Sequence, residues 1–62
     1  MKIKIKFVSN TERTIESVNY FYVDKKFNIV KVVHSNYEFT DEWDFDEVKE
    51  IQIVKEGEQN DN

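Results

Sequence analysis

Lys2-Ile3-Lys4-Ile5-Lys6-Phe7 alternates charged and apolar residues without a slip, and Val8 closes the stretch. A period of two turns Ile3, Ile5 and Phe7 to one side of a strand and Lys2, Lys4 and Lys6 to the other. Ser9-Asn10-Thr11-Glu12 follows, a cluster whose side chains hydrogen-bond their own backbone in turns, so the chain returns as a hairpin.

A second strand is expected over residues 14–23. Its alternation slips between Ile15 and the set Val18, Tyr20 and Tyr22, and a β-bulge near Ser17 reconciles the halves. Phe21 and Val23 take the opposite face. Asp24-Lys25-Lys26 supplies a turn without glycine, which points to a loop longer than a primed two-residue turn. Residues 27–34, Phe-Asn-Ile-Val-Lys-Val-Val-His, are apolar on both faces and read as a central strand, reversed at Ser35-Asn36. Tyr37 and Phe39, alternating with Glu38 and Thr40, form a fourth strand.

Trp43-Asp44-Phe45-Asp46-Glu47-Val48 carries a helix-start signature: Asp44 as N-cap, Glu47 as its reciprocal partner, and Trp43 stapled against Val48. Only about one turn fits near residues 44–50, because Ile51 and Ile53 resume alternation around Gln52 as a fifth strand.

Composition agrees with this pattern. The 62 residues include 8 Val and 6 Ile but no Leu, Ala or Pro, and β-branched and aromatic side chains suit a pleated surface better than a helix. The expected fold is all-β: a small antiparallel barrel of four or five strands, or a strongly twisted sheet. In architecture it resembles the SH3-like or Sm-like barrels, the SH3-like ones also carrying a short turn before the last strand; no family motif accompanies the likeness. Residues 1–54 make one small domain, and the polar tail 55–62 is expected to fray. A chain this short buries only about 60% of its unfolded surface, and with no cysteine it has no disulfide to add. The charged N-terminal strand is no signal peptide and no window spans a membrane, so a cytoplasmic protein is expected.

Charge is divided unevenly. Residues 1–34 carry +4 and residues 35–62 carry −8, giving the net −4. Glu38, Asp41, Glu42, Asp44, Asp46, Glu47 and Glu50 fall close together against one base, Lys49. One reading is a solvated face with helix-capping carboxylates. The other is an acidic patch around Trp43, Phe39 and Phe45 that meets a partner protein with a basic surface, at its extreme by mimicking nucleic-acid phosphates. Trp43 is the anchor expected in that case.

Lys2, Lys4 and Lys6, at roughly 6.8 Å spacing, give a competing reading in which they track a phosphate backbone while Tyr20 or Tyr22 stacks on a base. The plainer account makes the lysines the guard of an edge strand and the tyrosines core.

Chemistry of other kinds lacks its residues. The only glycine is Gly57, so neither phosphate-binding loop can be built. An EF-hand needs a sixth-position glycine and a twelfth-position glutamate, found in register from none of these aspartates. His34, the only histidine, sits in phase with Val30 and Val32 and reads as a structural imidazole rather than a metal ligand. No cofactor and no catalysis are expected, since acid–base work needs a concave, water-restricting site. The expectation is a small acidic binding protein, with an inhibitor as one form; its Lys-, Asn-, Ile- and Phe-rich composition resembles that of low-GC bacteria and their viruses, where short anti-defence inhibitors of this kind occur. A small-barrel nucleic-acid binder and a subunit that pairs by an edge strand, a homodimer included, are the alternatives.

Overall fold

A computed structural model describes residues 1–35 and 40–55. Six strands and one 3₁₀ turn run in the order β1 (Lys2–Phe7), β2 (Glu12–Ile15), β3 (Val18–Asp24), β4 (Ile29–His34), β5 (Thr40–Asp44), η1 (Phe45–Glu47) and β6 (Val48–Val54). They form two three-stranded antiparallel sheets, β2-β1-β6 and β3-β4-β5. The chain is thus mostly β, as its composition demands. Among the described residues there are six strands rather than four or five, and no ladder closes the sheets into a barrel.

The extra strand arises at Ser17. Its φ of 59° breaks the expected single strand into β2 and β3 and hands the chain from one sheet to the other. At this corner the N–H of Val18 donates to the carbonyl of Met1 (2.7 Å), and the N–H of Ser35 donates to that of Ser17 (2.7 Å), so the reversal leaves its polar groups paired. The other positive φ values fall on Asn10 and Asn28, in the turns before β2 and β4, where asparagine tolerates the left-handed region.

A second irregularity sits at Asn19. Val18 pairs with His34 but Tyr20 pairs with Val33, so Asn19 is an extra residue and every later side chain of β3 changes sides. Phe21, opposite Val32, therefore packs on the core, while Tyr20 and Tyr22 turn outward and stack on each other with centroids 6.0 Å apart. The expected core role of the tyrosines is corrected accordingly, as is the bulge at Ser17: the break is at Ser17 and the bulge two residues later. A third shift, between Lys6 and Phe7, skips Lys49, so that Val48 rather than a lysine faces the interior opposite Phe7.

The core is formed where the sheets meet. Ile3 and Ile5 from β1 and Val32 from β4 are wholly buried, with Ile15 and Val18 beside them and Phe7, Phe21, Trp43, Val48 and Ile51 around the margin. Each fully buried Ile or Val contributes about 1.5–3 kcal/mol. β4 is the central strand of its sheet, as its two-sided apolar pattern requires, but it begins at Ile29; Phe27 lies in the preceding turn and is 62% exposed. β1 is also central, so its lysines do not guard an edge. The expected strand through Tyr37, Glu38 and Phe39 is described only from Thr40, and it continues through Trp43 and Asp44, which the sequence assigned to a helix start. Of the polar tail, residues 56–62 lie outside the described residues.

Candidate functional site

Alternation along β5 deals the acidic segment to two sides. Asp41 and Trp43 turn inward, opposite the buried Val32 and Val30; Glu42 and Asp44 turn outward, opposite Lys31 and Ile29. Asp41 Oδ2 lies 2.8 Å from Nε2 of the buried His34, so this carboxylate is committed to the histidine. Glu42 lies 3.8 Å from Lys31 Nζ in a partly exposed ion pair. Among the described residues no group of three or more His, Asp or Glu side chains is arranged to hold a metal ion.

Trp43 does not staple a helix. Its ring packs on Phe7 with centroids 5.8 Å apart, and the Arg13 guanidinium lies 5.9 Å above it. The ring is half-buried and divides two open clefts. One, of about 330 Å³, is lined by Phe27, Ile29, Glu42, Trp43 and Asp44. The other, of about 390 Å³, is lined by Phe7, Val8, Ser9, Thr11, Trp43 and Glu47. Trp43 and its neighbours Glu42 and Asp44 point to opposite sides of β5 yet share the first cleft, which Ile29 at the start of β4 and Phe27 in the turn before it also line.

Three turns frame this end of the molecule, and η1 ties them together. Phe45 N–H donates to the carbonyl of Asn28 (2.9 Å), and Val8 N–H donates to that of Glu47 (3.0 Å). Asn28 Nδ2 reaches Asp46 Oδ2 at 3.4 Å. Asp44 caps η1 as the sequence predicts, its Oδ1 accepting from Asp46 N–H at 3.5 Å, but the turn ends at Glu47 because Val48 already belongs to β6. Asp24 Oδ1 accepts from Lys26 and Phe27 N–H (3.1 and 3.4 Å), which shapes the turn that lifts Phe27 into solvent. The result is a row of exposed apolar side chains, Val8, Phe27 and Phe45, beside Asp44, Asp46 and Glu47.

Of the expected partner-binding residues, this end brings together Glu42, Trp43, Asp44, Asp46 and Glu47. It leaves out Asp41, turned to His34, and Glu50, which lies opposite Lys6 on the other sheet. Glu38 and Phe39 are outside the described residues. Val8 and Phe27 were missed by sequence reasoning, which placed each at the end of a strand; the signal for Phe27 was Asp24, three residues earlier, poised to accept its N–H.

The expected nucleic-acid set is not brought together. Lys2, Lys4 and Lys6 point outward from β1 in one sheet, whereas Tyr20 and Tyr22 point outward from β3 in the other. Lys6 is also flanked by Glu12 on β2 and Glu50 on β6, and Lys2 lies 4.0 Å from Glu16.

Compared with protein-family models, curated proteins and solved structures, the chain matches none of them. Among the described residues no helix is long and apolar enough to cross a membrane.

Proposed function

We propose that this protein is a non-catalytic binding module that engages a basic surface of a partner protein with the end where the turns at residues 8–11, 25–28 and 45–47 meet. The observation that carries this reading is the coincidence of exposed Val8, Phe27 and Phe45 with Asp44, Asp46 and Glu47 around two clefts that share Trp43. Apolar anchors supply affinity at interfaces, and carboxylates beside them speed encounter with Lys- and Arg-bearing partners and select for them. Inhibition of that partner is the simplest consequence for a chain of 62 residues with a net charge of −4. Both clefts are open, which disfavours catalysis, since acid–base chemistry benefits from excluded water.

The finer architecture belongs to the same reading. Two three-stranded sheets joined by the chain break at Ser17 between β2 and β3, with a 3₁₀ turn before the last strand, support a description as an opened SH3-like or Sm-like barrel. A cytoplasmic setting accords with the absence of cysteine.

The test is affinity capture of partners by the wild type and by two charge-reversal variants. Asp46→Lys with Glu47→Lys should abolish capture of any partner held by this end. Lys4→Glu, on the outward face of the other sheet, should leave it unchanged; the opposite pattern refutes the assignment. Circular dichroism melts of all three proteins separate loss of binding from loss of fold.

A further inference from the structure

We infer, resting on the binding role proposed above, that the cleft between Phe27 and Trp43 is a guanidinium site that takes an arginine side chain of the partner. Its lining is two aromatic rings, one isoleucine and two carboxylates, Glu42 and Asp44. Aromatic faces attract cations through their quadrupole, and carboxylates at the rim supply hydrogen-bond acceptors for a planar fork of donors. At about 330 Å³ the open space suits the end of an arginine side chain.

The chain itself displays the chemistry. The Arg13 guanidinium lies 5.9 Å from the Trp43 ring centre, and Lys26 Nζ lies 5.6 Å from that of Phe27. Each aromatic wall already carries a cation from its own molecule. Arg13 on Trp43 marks that ring as a guanidinium acceptor. Lys26 is exposed, and its backbone N–H alone serves the turn, so its side chain acts as a local competitor that an incoming cation must displace or out-bind. Glu42 is likewise shared with Lys31.

Arginine is preferred over lysine here because its guanidinium stacks flat on an aromatic face, bonds carboxylates with a fixed fork and is less strongly hydrated than an ammonium. A cleft that worked by charge alone would not distinguish them.

The experiment titrates the intact chain with a short peptide of alternating arginine and glycine, and with its lysine twin. Fluorescence of Trp43, the only tryptophan in the chain, is the readout. The expected result is saturable binding with the arginine peptide about fivefold tighter than the lysine peptide. Phe27→Ala should erase that preference without moving the thermal melt, since Phe27 is exposed. Lys26→Gln should tighten arginine binding more than lysine binding. Equal affinities for the two peptides, or a preference that survives Phe27→Ala, would overturn the guanidinium site. If both peptides then still bind and Asp46→Lys with Glu47→Lys abolishes it, the basic-surface reading stands without the cleft. If neither peptide binds, both fall.

Discussion

At Ser17 the backbone holds φ 59° in a residue that has a Cβ, and the carbonyl beside it accepts the N–H of Ser35. A left-handed conformation costs an L-residue roughly 1–2 kcal/mol, while glycine visits it freely but loses about 0.4–1 kcal/mol more chain entropy on folding. Ser17→Gly should therefore stabilise the protein by about 0.5–1 kcal/mol in a urea titration. A clear loss of stability would contradict the account of the corner. The sequence announced irregularity near Ser17 because alternation failed there. It could not locate the extra residue at Asn19, since Phe21, Tyr20, Tyr22 and Val23 make both faces of β3 apolar and either register looks buried. The exposed tyrosines are the cost of that ambiguity: only the pairing of Tyr20 with Val33 reveals which face is dry.

At the scale of elements, β1 shows what one strand can and cannot declare about its neighbours. Its alternation gave the inward Ile3 and Ile5 and the outward lysines directly, but whether it lay at an edge depended on β6, which pairs with it from the far end of the chain. With β2 and β6 on either side, Lys6 stands between Glu12 and Glu50, and Lys4 between Thr14 and Gln52. Carboxylates this close offset the field that phosphate binding requires. The protein should show no salt-dependent affinity for single- or double-stranded oligonucleotides in a low-salt fluorescence anisotropy titration. Binding that weakened steeply with salt and disappeared in Lys4→Glu would restore the nucleic-acid reading. The segment around Trp43 fails in a complementary way. Asp44 and Glu47 carry a real capping signal, and Asp44 does cap η1, but a cap specifies where a turn starts and not how long it lasts. The inward pull on Trp43 and Val48 from Phe7 and the core decides for strand on either side.

The molecule as a whole owes its candidate site to three turns distant in sequence and joined through η1. The acidic half of that site was legible, because seven carboxylates around one base are visible in any reading of the chain. Its division was not: alternation along β5 sends Asp41 inward to His34 and keeps Glu42 and Asp44 out, and this follows only once β5 replaces the helix. Val8 joined the surface through a tertiary hydrogen bond to Glu47 and Phe27 through a local one to Asp24, and neither leaves a periodic trace. The most direct test maps backbone amide shifts by ¹⁵N NMR during titration with the arginine–glycine peptide. The largest changes are expected at residues 8–11, 26–29 and 42–47, with residues 2–6, Tyr20 and Tyr22 unmoved. Largest changes on the lysine face or the tyrosine pair, or changes spread evenly over the chain, would contradict it.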